Sequence, residues 1–159
     1  RMRLAWRAVA AAQTTTTPQT AQPQTADMQG RTVLVVDDIA TNRLVARAHL
    51  ALYGVTVTEA ASGAVAVEMI RAAIPDLVLL DMNMPGMDGI ATLKNIRALP
   101  SRAARLPVIA MTADATNDHR RRYLEAGLDG YLAKPLTPEA VADLLAQHLV
   151  APNLGARAG

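Results

Sequence analysis

The 159 residues suffice for one globular domain with flanking segments, and 51% hydrophobic against 19% charged residues permits a packed core. Phe is absent and aromatics reach only 3%, so Ala, Val, Leu, Ile and Met must fill that core, while the absence of Cys excludes disulfides, thiolate metal sites and cysteine nucleophiles. The formal charge of +2 does not mark a nucleic-acid binder, because residues 31–150 carry 12 Lys or Arg against 13 Asp or Glu and the excess lies in Arg1, Arg3, Arg7 and Arg157.

The chain begins with Arg, as expected of a fragment. Arg1 to Ala12 superficially resembles a secretion signal, but Arg7 interrupts its apolar run and leaves it short of the usual ~7–15 residues. Gln13 to Gln29 is a Thr, Gln, Pro and Ala tract that cannot bury enough surface to offset the entropy of ordering. Residues 1–30 are therefore expected to be a flexible linker or tail, 31–150 the folded domain, and 151–159 a disordered C-terminal tail. No stretch approaches the ~20 apolar residues of a membrane span. A cytoplasmic protein without direct membrane contact is expected.

From Arg31 onward short apolar runs alternate with helical segments. Thr32 to Val36 reads as a strand buried on both faces and ends at Asp37 and Asp38. Leu44, Val45, Ala48 and Leu52 have helical spacing over Ala40 to Tyr53, with Gly54 as the stop. Val55 to Glu59 alternates and suits a strand near an edge. Ser62 caps a helix running to about Ala73, which Pro75 bars from continuing. Asp76 to Leu80 is a second buried strand with Asp81 at its C-terminal end. A loop follows, then a helix over Asp88 to Ala98, a strand over Leu106 to Ala110, and a helix over Thr116 to Ala126 closed by Gly127. Asp129 to Leu132 is a short fifth strand, Lys134 and Pro135 a turn, and Thr137 to Leu149 the last helix.

Five alternations of strand and helix predict an α/β fold with a parallel sheet covered on both faces: a flavodoxin-like, doubly wound (βα)5 arrangement of strand order 2-1-3-4-5. Ligands of such sheets bind at the C-terminal ends of the strands. Asp37, Asp38, Asp81, Thr112 and Lys134 all fall at such ends. Three carboxylates at one rim repel unless a cation neutralises them. Mg²⁺ suits that demand, being a hard ion held by one or two carboxylates, waters and phosphate oxygens. Lys134 and Thr112 add an ammonium to neutralise developing charge and a hydroxyl to bond a phosphoryl oxygen.

These residues resemble the receiver domains of two-component response regulators. The resemblance covers about Thr32 to Val150 and rests on VLVVDD at Val33 to Asp38, LVLLDMNMPGMDG at Leu77 to Gly89, VIAMTA at Val108 to Ala113 and AGLDGYLAKP at Ala126 to Pro135. It implies that Asp81 is the phosphoacceptor and that Asp38, Asp81 and the backbone carbonyl of Asn83 bind Mg²⁺ (or Mn²⁺), with Asp37 acting through water. It further implies that Lys134 pairs with the phosphoryl group, that Thr112 and Tyr131 form a switch pair, that Asn83 and Asp114 modulate acyl-phosphate lifetime, and that the bond before Pro135 is cis. Asn42 and Arg43 after the acidic pair resemble receivers of hybrid histidine kinases. The implied partner is a histidine kinase or histidine phosphotransfer domain, including a kinase domain of the same parent chain. Such a fragment catalyses only its own phosphorylation and dephosphorylation.

Alternatives are a stand-alone response regulator and a receiver that binds partners without phosphorylation. A haloacid-dehalogenase-type phosphatase needs a second Asp two residues after the nucleophile, where this chain has Asn83. A dinucleotide-binding module needs a glycine-rich phosphate loop where this chain has Asp37 and Asp38. Arg120, Arg121 and Arg122 point in different directions around a helix and read as solvated charge. His49, His119 and His148 match no metal or phosphohistidine pattern, and Met82, Met84 and Met87 read as loop packing.

Overall fold

Short apolar or β-branched runs make the strands, and the computed structural model, which describes residues 30–114 and 116–150, sets five of them in one sheet, the two edge strands less buried than the three between them. They are β1 (Thr32–Val36), β2 (Thr56–Ala60), β3 (Leu77–Asp81), β4 (Val108–Thr112) and β5 (Gly130–Ala133). Every pairing is parallel and the order is β2-β1-β3-β4-β5, as the alternation predicts. The expectations for residues 1–29 and 151–159 lie outside the described residues.

The helices are α1 (Ala40–Ala51), α2 (Gly63–Ala72), α3 (Gly89–Arg97), α4 (Asn117–Ala126) and α5 (Pro138–Leu145). Period-two alternation along the strands divides the core. Val33, Val35, Leu77, Leu79, Ile109 and Met111 face α1 and α5, meeting Leu50, Val141 and Leu145. Leu34, Val36, Val78, Leu80, Val108 and Ala110 face the other side, meeting Ile70, Leu93 and Ile96 of α2 and α3. Each Leu or Ile fully withdrawn from water contributes about 1.5–3 kcal/mol. Helix α4 differs from the rest: it buries no residue completely and meets the core through half-buried Tyr123.

Local chemistry sets the ends. Ser62, Asp88 and Thr137 each accept a backbone N–H of the first turn that follows, capping α2, α3 and α5. Gly127 closes α4 in the left-handed region at φ 111°. The strand expected over Leu106 to Ala110 lies two residues later. Pro107 has no N–H to give the ladder, and its carbonyl instead accepts Val78 N–H at 2.9 Å, so pairing with β3 starts from there. This shift makes Thr112 the last residue of β4. A 3₁₀ segment at Ser101–Arg105 and a π turn at Ala146–Val150, which ends α5 four residues before the expected Leu149, carry no periodicity signal in the sequence.

Gly89 fixes how closely α3 approaches the end of β3. A Cβ there would stand 2.7 Å from Met82 Cα and 2.9 Å from Asp81 O, both backbone atoms that cannot swing aside. Gly89→Ala is therefore expected to cost about 1–3 kcal/mol by overpacking. A thermal melt should show a fall of roughly 4–10 °C, and an unchanged melting temperature would mean the helix yields freely.

Candidate functional site

Asp37 follows directly on the buried β1 and is itself fully buried, whereas Asp38 beside it is exposed. The chain folds back over Asp37: Ile39 N–H donates to its Oδ1 at 2.9 Å, Asn42 Nδ2 approaches the same oxygen at 3.4 Å, and Arg43 Nη1 donates to its backbone carbonyl at 2.7 Å. Arg43 is held in turn by Glu59 of β2, with Nε 3.2 Å from Oε1. Asp81 ends β3 at 2% exposure and accepts Asn83 N–H on Oδ1 at 3.1 Å. Lys134 arrives from the end of β5, its N–H donated to Thr112 O at 2.8 Å, and the peptide bond to Pro135 is cis. Its Nζ lies 3.1 Å from Asp81 Oδ1 and 3.2 Å from Asp37 Oδ2.

One ammonium thus faces two buried carboxylates with a third close by. Burial pushes the Asp81 carboxyl above the ordinary carboxylate range; the Asp37 charge adds to the rise, and the Asn83 N–H and Lys134 reduce it without cancelling it. Burial works against the charge on Lys134, but hydrogen bonds to Asp81 and Asp37 outweigh it and raise its pKa above the usual lysine value. Lys134 is therefore a cation at neutral pH and the pocket keeps a surplus of negative charge. Asp37, Asp38 and Asp81 each bring a carboxylate oxygen within 4.8 Å of the others. An all-oxygen, surplus-anionic donor set fits a hard divalent cation.

The remaining expected residues divide. Thr112 is buried, and its hydroxyl donates to Asp114 O at 3.1 Å, accepts Asp114 N–H at 3.0 Å and contacts Tyr123 OH at 3.4 Å; none of these partners is an acidic-site side chain. Tyr131 lies half-buried on the same side of the sheet. Arg120, expected as solvated charge, is exposed but sets its guanidinium 4.7 Å from the Tyr131 ring centroid, a cation–π contact between α4 and β5. Asn83 is exposed, as is Asp114, which accepts Thr116 N–H at 3.2 Å. The expected packing of the methionines holds for buried Met82 and Met84. The histidines stand apart: His49 meets Leu136 O at 3.1 Å, burial lowers the pKa of His148, and His119 Nδ1 lies 2.9 Å from Asp114 Oδ2, off the line of a hydrogen bond.

Two features escaped the sequence reading. Arg43 holds the Asp37 carbonyl, a contact that its resemblance to receivers of hybrid histidine kinases did not disclose. Tyr123 touches Thr112 from α4, and its hint was composition, since a chain with no Phe and three Tyr has few aromatic side chains to place.

The family model described as the response regulator receiver domain matches residues 33–146. Chemotaxis protein CheY-3 of Vibrio cholerae is 39% identical over 114 residues, covering 71% of this chain and 87% of that protein. Sensor protein GacS of Pseudomonas syringae is 36% identical over 115 residues, covering 71% of this chain but only 13% of its own length. Among solved structures, the receiver domain of a Pseudomonas aeruginosa sensor histidine kinase, described with a magnesium ion coordinated in its active-site cleft, superposes with a TM-score of 0.69 at 34% identity over 76% of this chain and 98% of that one. A chemotaxis protein CheY4 of Vibrio cholerae gives a TM-score of 0.70 at 29% identity over 75% and 98%. The chain belongs to the receiver domain family of two-component signalling. Among the described residues no helix is long and apolar enough to cross a membrane.

Proposed function

We propose that Asp81 accepts a phosphoryl group from a phosphohistidine on a histidine kinase or histidine phosphotransfer domain. The observation that carries this reading is a buried carboxylate held 3.1 Å from a lysine ammonium, within a cluster of three acidic side chains whose oxygens approach within 4.8 Å. In the step itself an Asp81 carboxylate oxygen bonds phosphorus as the phosphorus–nitrogen bond breaks, and the imidazole leaves with the electron pair. Both hydrogen bonds to Asp81 fall on Oδ1, which orients the carboxylate and leaves Oδ2 outside them. Lys134 supplies a fixed positive charge to the transferring group. Asp38, Asp81 and the Asn83 carbonyl would hold Mg²⁺ or Mn²⁺, with Asp37 acting through water. When bound, the metal offsets phosphoryl charge and orients the group for in-line transfer.

Thr112 is the hydroxyl that meets the phosphoryl group in the switched state, with Tyr131 following it, and Asn83 and Asp114 set how fast water removes the group. The domain catalyses only its own phosphorylation and dephosphorylation. Similarity to GacS and to aerobic respiration control sensor protein ArcB of Escherichia coli, 37% identical over 113 residues, supports a receiver within a hybrid histidine kinase.

The test is intact mass after incubation with Mg²⁺ and acetyl phosphate. Wild type is expected to gain about 80 Da, one phosphoryl group, and D81N nothing. A wild type that gains no mass even with a kinase partner would instead be a receiver that binds partners without phosphorylation.

A further inference from the structure

Helix α4 buries no residue of its own, yet it reaches the end of β4 at two points four residues apart, one helical turn. His119 lies against the Asp114 carboxylate at 2.9 Å, and the Tyr123 hydroxyl stands 3.4 Å from Thr112 Oγ1. Asp114 in turn holds Thr112 Oγ1 through both its N–H and its carbonyl, at 3.0 and 3.1 Å. The Thr112 hydroxyl is thereby occupied on the α4 side of the sheet, with no hydrogen bond to Asp81 or Lys134. A β-branched side chain changes its partners by stepping between a few staggered rotamers. Turning this hydroxyl toward a group on Asp81 therefore means leaving Tyr123 as well as Asp114.

We infer that Tyr123 is a positioning residue for Thr112: its hydroxyl favours the arrangement in which Thr112 is turned away from the acidic site, and so opposes the phosphorylated state. The inference rests on the proposal that Thr112 meets the phosphoryl group. It adds to the Thr112 and Tyr131 pair a second aromatic contact from a different element, and it gives α4 a stake in the same two-state equilibrium. At 3.4 Å the contact is long for two hydroxyls, which bond best below about 3.0 Å. The bias is correspondingly small.

The experiment titrates beryllium fluoride, whose complex has the shape and charge of a phosphoryl group, into the full chain at saturating Mg²⁺, for wild type, Y123F, T112V and the double variant. Y123F keeps the ring and removes only the hydroxyl, so it is expected to bind about threefold tighter, the effect of losing one weak hydrogen bond. T112V should bind more weakly, and Y123F should add nothing to it, because no hydroxyl then remains to hold. Mg²⁺ affinity alone should not differ between wild type and Y123F. If T112V weakens binding but Y123F binds like wild type or worse, Tyr123 is no such device and the role of Thr112 survives. Equal tightening by Y123F with and without Thr112 would show that it acts through packing, which also overturns the inference. If T112V leaves binding unchanged, the role of Thr112 fails and this inference fails with it.

Discussion

Lys134→Ala is expected to slow phosphoryl uptake by Asp81 about a hundredfold, the usual effect of removing one preorganised charge from the site of a developing anion. The ammonium sits between the two buried carboxylates at 3.1 and 3.2 Å, directly beside the one that would carry the phosphoryl group. The same change leaves Asp37 and Asp81 facing each other uncompensated. Breaking a fully buried pair costs about 3–5 kcal/mol, and with the Lys134 side chain 23% exposed the expected loss is nearer 1–3 kcal/mol without metal. A lysine whose pKa rises on folding stabilises at all pH values below its unfolded value of 10.5 and loses that contribution as pH rises through the folded value. The gap in melting temperature between wild type and K134A should therefore be flat near neutral pH and close in strong base, where the lysine loses its charge, and in acid, where the Asp81 carboxyl that it faces is protonated. Lys134→Arg separates the two roles. It keeps the charge and should recover stability, but its planar fork cannot place a point charge where Nζ lies, so uptake should stay slow. A mass-resolved time course with acetyl phosphate measures the rate, and uptake by K134A within a few-fold of wild type would remove Lys134 from the chemistry.

The site was legible in the sequence because its chemistry sits where strand periodicity ends. Asp37 and Asp81 interrupt apolar runs that only a buried strand explains, and a parallel sheet brings the ends of β1, β3 and β5 to one rim whatever the loops do. The topology was legible for the same reason, since alternating strands and helices admit few right-handed arrangements. What the sequence hid was register and lateral contact. Leu106 and Pro107 look like strand in an apolar window, and only the pairing with Val78 shows that the ladder begins after them. The meeting of Tyr123 with Thr112, and of Arg120 with Tyr131, depends on the rotation of α4 about its axis, and a helix with no buried stripe leaves no pattern that fixes this rotation. Gly89 was read only as the last residue of the LVLLDMNMPGMDG match, and its reason, the backbone of Asp81 and Met82 within 3 Å of a would-be Cβ, exists only in three dimensions.

Asp81→Asn is expected to make the metal-free protein more stable at neutral pH. A carboxylate whose pKa is raised on folding binds its proton more tightly in the folded state, so its penalty is absent below the unfolded value of 3.8, grows as pH rises through the folded value, and stays in full above it. Asparagine carries none of it. The amide keeps an oxygen to accept Asn83 N–H, and Lys134 keeps Asp37 at 3.2 Å. A higher melting temperature than wild type is expected in EDTA at pH 7. The two melting curves should converge as pH falls toward 4, where the Asp81 penalty is lost. Divalent metal acts oppositely on the pair. A ligand at a hundred times its dissociation constant stabilises by about 2.7 kcal/mol, so Mg²⁺ should raise wild type past its own metal-free value, while D81N, short of one carboxylate of the three, should gain much less. The order of stabilities in EDTA is thus expected to reverse in saturating Mg²⁺. Melting both proteins across pH with and without Mg²⁺ tests each half separately. A D81N protein that melts lower in EDTA at pH 7 would mean that the Lys134 and Asn83 contacts outweigh burial, and equal metal gains in the two proteins would place the cation away from Asp81.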